Sequence, residues 1–249
     1  KENIDIPEAV YKIYSESIAL REKKSKSLFI NCFQKANYLN FLIMKKIFLA
    51  LILLFHFSHF TAQNINLKEI KKEIENPSSQ YNLEKILFKY KGLPIQLDSI
   101  EARYLYYGIK STVDLKKSEE LRTQFKKEDL KKSLELGEAM LSDNPTDLET
   151  ISVVMECYYR QQDSSTKLNH YSNQFRKLVD AMLSSGDGKS EKTAFLVNSV
   201  SDEYIFLAIL RKNTYQMKRT SKPSKEGMYD IWDDNGSKTY INVIYDMKF

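Results

Sequence analysis

From Ile65 to about Ser184 apolar residues recur three and four positions apart, the period of a helix with one buried face. Leu67, Ile70 and Ile74 mark a first short helix ending at Asn76-Pro77, and Leu83, Ile86, Leu87 and Tyr90 mark a second, closed by Lys91-Gly92 and Pro94. Asp98 or Ser99 can cap a third, containing Ile100, Tyr104, Leu105 and Tyr107, with Gly108 as its stop. The Lys-rich stretch Ser111–Lys127 carries few recurring apolar positions and reads either as a loop or as a solvated helix face. Three stronger stripes follow: Leu130, Leu134, Gly137 and Leu141; Leu148, Ile151, Met155 and Tyr158; Leu168, Tyr171, Phe175, Leu178 and Met182. Asn144-Pro145-Thr146-Asp147 turns the chain between the first two. A helix, an Asn-Pro turn and an antiparallel partner is the unit of tetratricopeptide-type repeats, but the full repeat spacing is missing and an ordinary helical bundle is the favoured reading.

The period then changes to that of strands. Thr193–Val197 reads as a β-segment after the Gly186-Asp187-Gly188 turn, and Tyr215–Thr220, Met228–Trp232 and Thr239–Tyr245 as three more. Asp233-Asp234-Asn235-Gly236 is a hairpin signal. Between the first two strands, Ser201-Asp202-Glu203 can cap and charge the first turn of a helix running from Asp202 to about Leu210. The expected fold is α+β: an N-terminal helical bundle (63–185), with a tetratricopeptide-like helix pair possible, followed by a small, mainly antiparallel β-sheet with one helix (190–249).

Upstream, Lys45-Lys46, the apolar run Ile47–Phe57 and Thr61-Ala62 before Gln63 have the charge, length and small-residue ending of a secretion signal. A spanning anchor is the competing reading, but it wants about 20 apolar residues. Residues 44–62 are therefore expected to be a signal peptide and residues 1–43 a spurious extension before the true start at Met44. Residues 63–249 would form a single mature domain. The expected location is the periplasm or the exterior of a Gram-negative bacterium. Contact with membrane would be only transient, through the signal, and with no Cys near the end of the apolar run the protein is not expected to be a lipoprotein.

Charge follows the same division. Residues 1–62 hold nine of the 38 Lys and Arg and five of the 33 Asp and Glu, leaving the remainder at +1. That balance offers no basic footprint for nucleic acid. Cys157 is the one Cys after residue 62, on an apolar helical face where a buried inert thiol is expected, and His170 is the one His. Zinc catalysis and His-dependent nucleophilic catalysis lack their usual ligands and bases. No cofactor and no metal are expected.

Four segments occur in order: Ile74-Glu75-Asn76-Pro77-Ser78-Ser79; Leu105-Tyr106-Tyr107-Gly108; Ser185-Gly186-Asp187-Gly188-Lys189-Ser190 with Thr193-Ala194-Phe195; and Asp202-Glu203-Tyr204. The set resembles a family of uncharacterised secreted bacterial proteins defined by a domain of unknown function, over roughly Asn64 to the C-terminus. The resemblance implies an envelope or secreted location and assigns no activity and no catalytic residues.

Gly186–Ser190 ends like a phosphate loop, but Leu183 stands where that motif needs its first glycine, a helix precedes it and a strand follows. A helix stop and turn is the plainer reading. Asp187, Asp202 and Glu203 are the candidate acidic residues, for a hard cation or acid–base work, against helix capping as the bland alternative. Tyr204, Tyr106 and Tyr107 are candidate contact aromatics, since Tyr presents large area at little entropic cost. Two functions remain open. One is a non-enzymatic secreted or periplasmic module binding an envelope protein, peptide or glycan. The other is a small periplasmic hydrolase using the carboxylates near Asp187, Asp202 and Glu203.

Overall fold

The computed structural model describes residues 65–109, 114–162 and 166–244, so the leader-like run and the segment before it lie outside the described residues. Eight α-helices and one four-stranded sheet make up the described part. The helices are α1 (Leu67–Glu75), α2 (Leu83–Gly92), α3 (Ser99–Gly108), α4 (Leu115–Lys126), α5 (Leu130–Asp143), α6 (Leu148–Arg160), α7 (Thr166–Leu183) and α8 (Val200–Ile209). Helix α8 follows strand β1 (Phe195–Val197), and β2 (Lys218–Pro223), β3 (Gly227–Asp234) and β4 (Ser237–Ile244) complete the chain. The fold is α+β, with the helices first, as the periodicity predicts.

The apolar stripes become the buried faces. Leu67, Ile70 and Ile74 of α1 are all buried, as are Leu148, Ile151, Met155 and Tyr158 of α6 and Phe175, Leu178 and Met182 of α7. Helices α4, α5 and α6 each pack on the helix that follows, α3 closes against α7, and α8 packs on α6. Caps fix the ends. Asp98 accepts from the Ile100 and Glu101 amides, while Glu101 reaches back to the Asp98 amide in a reciprocal capping box. Asp114, Asp129 and Asp147 cap α4, α5 and α6 more simply, each accepting from first-turn amides.

The ambiguous Lys-rich stretch is helical over α4. Its weak stripe has a reason: only Ser118 and Leu121 are fully buried there, Arg122, Gln124 and Phe125 are half-buried, and the other positions are exposed. Leu121 joins Met140, Val153 and Cys157 in a small core between α4, α5 and α6, with Phe125 and Leu130 against it. Cys157 is fully buried and its thiol is pushed up to about 12 by burial, so it is inert as expected.

The sheet order is β1-β4-β3-β2. Strands β2, β3 and β4 form an antiparallel meander, and β1 pairs parallel to β4, with Phe195 opposite Ile241 and Val197 opposite Val243. One face, carrying Val197, Ile241, Val243, Asp230 and Trp232, is buried. Strand limits differ from the sequence expectation at several ends: β2 runs on to Pro223, β3 spans Gly227–Asp234 and β4 begins at Ser237, so residues read as turns join the ladders. Residues 191–193 form a short 3-10 turn before β1, and Tyr215 stands outside β2, exposed, because pairing with β3 begins only at Lys218.

The Gly186–Ser190 turn is a clamp, in keeping with the turn reading. The Asp187 and Gly188 amides both donate to the Thr193 carbonyl, at 2.9 and 2.8 Å, and the Tyr240 amide of β4 donates to the Gly188 carbonyl at 2.8 Å. Gly188 has φ +66°, and a Cβ there would lie 2.5 Å from the Phe195 ring. Left-handed backbone and close ring packing both demand glycine at this position.

Candidate functional site

Helix α8 carries the candidate acidic segment, and its first turn corrects the capping expectation. Ser199 is the N-cap; its side chain accepts from the Asp202 amide at 3.0 Å. Asp202 and Glu203 stand in the first turn itself, as the sequence suggests, but buried and pointing to different neighbours. The polar start of α8 is therefore buried against α3 on one side and the sheet on the other.

Asp202 meets α3. The Tyr106 hydroxyl donates to Asp202 Oδ2 at 2.6 Å and accepts from the Asn198 amide at 3.0 Å, while Asn198 Nδ2 donates to the Tyr106 carbonyl at 2.5 Å. Tyr107 packs edge-on against Tyr106, and its hydroxyl donates to the Leu196 carbonyl at 2.9 Å. Burial pushes the Asp202 carboxyl up to about 7, against the pull of Tyr106, and the nearby Asp147 carboxylate adds to the rise. Two tyrosines of one helix thus tie the helical part to the β1–α8 connection. Both are at most 2% exposed, so their area is spent inside the fold.

Glu203 meets the sheet. Trp232 Nε1 of β3 donates to Glu203 Oε1 at 2.7 Å. Arg219 Nη2 of β2 lies 3.4 Å from Glu203 Oε2 and bonds Asp230 Oδ2, and Ser221 donates to Asp230 Oδ1. Register explains the grouping: Arg219 pairs with Trp232 and Ser221 with Asp230 across the β2–β3 ladder, so all four share the face beneath α8. Arg219 also lies over the Trp232 ring, 5.5 Å from its centre, and Tyr204 meets that ring edge-on at 5.6 Å. Burial first, then the Asp230 charge, pushes the Glu203 carboxyl up to about 7.

Asp187 belongs to neither group. It accepts from the Lys189 amide at 3.0 Å on the exposed turn, and hydrogen bonds there hold its carboxyl below the usual range. Among the described residues no three His, Cys, Asp or Glu side chains are spaced to share a metal ion. Of the six residues singled out in sequence, then, Tyr106, Tyr107 and Asp202 form one buried network, Glu203 and Tyr204 belong to a second, and Asp187 stands apart. Arg219, Ser221 and Asp230 complete the second network, and sequence reasoning missed them. The alternation of β2 and β3 carries a signal for them, since charged residues there fall on the apolar face of the sheet.

A different feature faces water. Phe88 of α2 is 83% exposed, Leu93 57%, Ile95 61% and Ile100 of α3 42%. All four lie within residues 88–100, on a helical hairpin that the Lys89–Glu101 ion pair holds closed. Tyr90, between them in sequence, points the other way and donates to the Pro145 carbonyl at 3.0 Å. The hairpin buries Ile86 and Tyr90 and leaves these four bulky apolar side chains exposed.

No helix among the described residues is long and apolar enough to cross a membrane. No curated protein and no solved structure matches the chain. The family model for a domain of unknown function, DUF4919, matches residues 68–247, from α1 to the end of the sheet, and the chain belongs to that family.

Proposed function

We propose that the domain is a non-enzymatic binding module, exported to the periplasm or the cell exterior, that holds an envelope protein or peptide through the α2–α3 hairpin. The observation that carries this reading is the exposure of Phe88, Leu93, Ile95 and Ile100 within one short hairpin. Single exposed apolar residues need no explanation, but a cluster of large ones costs solubility and is the ordinary mark of a contact surface. A protein partner suits this surface better than a glycan, which needs polar groups to hydrogen-bond its hydroxyls. Export rests on the Lys45-Lys46 start and the apolar run after it.

The hydrolase reading receives less support from the site. Asp202 is occupied by Tyr106, Glu203 by Trp232 and Arg219, and Asp187 by Lys189. A general acid must reach the proton acceptor of a substrate, and the two carboxyls held near neutral range are buried.

The test compares the wild-type chain with Phe88→Ser/Ile95→Ser in a cross-linking experiment on envelope preparations. Both side chains point to water, so the variant is expected to keep the wild-type melting temperature and lose its cross-linked species. Identical cross-linking in the two proteins would overturn the hairpin as the docking surface. Hydrolysis of peptide or glycoside substrates by wild type, abolished by Asp202→Asn, would instead establish the enzyme.

A further inference from the structure

We propose that Glu203 holds a proton in the folded domain beside the Asp230 carboxylate, and that its release is a switch that loosens helix α8 from strands β2 and β3. Glu203 and Asp230 are both 0% exposed, and the single cation between them, Arg219, is itself three-quarters buried. One guanidinium balances one carboxylate, so two ionised acids would leave an uncompensated negative charge in the interior, a costly state.

The hydrogen bonds say where the proton sits. Asp230 has a donor on each oxygen, Ser221 on Oδ1 and Arg219 on Oδ2. Glu203 Oε1 receives the Trp232 indole N–H, but Glu203 Oε2 is buried and receives no hydrogen bond. A proton on Oε2 turns that oxygen into a donor, and the adjacent Asp230 carboxylate is an acceptor that favours it. Protonated, the cluster is neutral and both Glu203 oxygens are paired, while the buried Arg219 Nε keeps no hydrogen bond.

The other charged groups around α8 leave this balance in place. On α8 itself Asp202 is bonded to Tyr106 of α3, and Tyr204 lies against Trp232. From α6, Glu149 accepts from Ser201 at 3.0 Å but is neutralised by a bidentate bond from Arg122 of α4, at 2.5 and 2.7 Å. Asp147, the cap of α6, faces Asp202. Strands β1 and β4 present Phe195, Val197, Thr239, Ile241 and Val243 on the covered face, with no titratable group among them. Losing the proton on Glu203 therefore places an unbalanced charge at the contact between α8 and the sheet, and separating the two lets water reach it.

Trp232 is the one tryptophan of the chain and its indole N–H is bonded to Glu203, so its emission reports the ionisation directly. Fluorescence of the full chain is followed between about pH 5 and 9, together with hydrogen exchange of α8 amides corrected for the intrinsic pH effect. Wild type is expected to show an emission change with its midpoint near neutral pH and at least tenfold faster α8 exchange above it. Glu203→Gln should abolish both changes, Asp202→Asn should keep both, and Asp230→Asn should move the midpoint at least one pH unit toward acid, since Arg219 then favours ionised Glu203. Flat wild-type emission, a titration that survives in Glu203→Gln, or an Asp230→Asn midpoint that stays in place would each overturn the proposal.

Discussion

The two glycines of the Gly186–Ser190 turn show how one hydrogen in place of a methyl group fixes the route from helix to sheet. At Gly186 an added Cβ would run into the carbonyls of Thr193 and Ala194, which are backbone and cannot rotate aside. At Gly188 it would meet the Phe195 ring in a left-handed conformation. Gly236, in the β3–β4 hairpin, has φ +94° but open space around it. Gly236→Ala should therefore cost about 1 kcal/mol, the backbone penalty alone. Gly188→Ala should cost more, about 2–4 kcal/mol, because overpacking against Phe195 adds to the strain. Urea denaturation of the two variants checks the order, and equal losses would refute the packing half of the argument. Asp202 behaves in the same residue-specific way. The cap of α8 is Ser199, so Ser199→Ala should lower stability by about 1 kcal/mol. Asp202→Ala leaves the buried Tyr106 hydroxyl without its acceptor and should cost about 1–3 kcal/mol.

Between elements, the closest helix approach among the glycines is where α5 crosses α6. Gly137 sits at that crossing, and a Cβ there would lie 2.5 Å from Val154 Cγ2. Two effects compete in Gly137→Ala. Helix propensity favours alanine by about 1 kcal/mol, while overpacking costs about 1–3 kcal/mol. Val154 is fully buried and a β-branched side chain in a helix has little rotamer freedom, so the clash should win. We expect Gly137→Ala to destabilise the protein and Val154→Ala, added to it, to cost less than it does in the wild type. A double-mutant cycle measures this coupling, and strictly additive losses would contradict the contact. Helix α4 illustrates the opposite situation. It buries little apolar surface and is held instead through Arg122, which grips Glu149, and Glu149 in turn accepts from Ser201 of α8. One carboxylate thereby links three helices.

At the scale of the molecule, the buried carboxyls set the direction of the pH response. Asp202 rises from 3.8 and Glu203 from 4.5, each to about 7. The folded state binds more protons than the unfolded chain between those limits, so stability should fall as pH rises from about 4 to 7. Asp147, raised by its own burial, acts in the same direction. His170 opposes them: burial lowers its value from 6.5, so its contribution is present above pH 6.5 and lost as pH falls through the folded value. It is one partly exposed group against two buried ones and the half-buried Asp147. Glu138, brought below its ordinary 4.5 by Tyr158, Lys167 and Tyr171 despite partial burial, gives stability that disappears only in stronger acid. The midpoint of denaturation should therefore be higher near pH 5 than near pH 8, with most of the slope removed in Asp202→Asn/Glu203→Gln. A midpoint that rises with pH over that range would reverse the sign of this account.

What the sequence by itself determined was whatever depends on neighbours in the chain. Helical stripes such as Leu67-Ile70-Ile74 and Leu148-Ile151-Met155, the cap at Asp98, the Asn235-Gly236 hairpin and the helical-then-sheet order are local consequences of period and turn chemistry. Membership of a family defined by a domain of unknown function was likewise legible in the sequence, and the family model spans residues 68–247. Ser199 rather than Asp202 as the cap, and the start of β2 at Lys218, depended on where α8 and the sheet settled. Only the tertiary structure decided the partners of the polar residues. Tyr106 meets Asp202 across 96 positions of chain and Trp232 meets Glu203 across 29. Arg219, Ser221 and Asp230 become one cluster only once β2 and β3 pair in register and α8 closes over them. A carboxylate reads the same in sequence whether it will cap a helix in water or hold a proton in a core; burial separates the two, and burial is a property of the packed molecule.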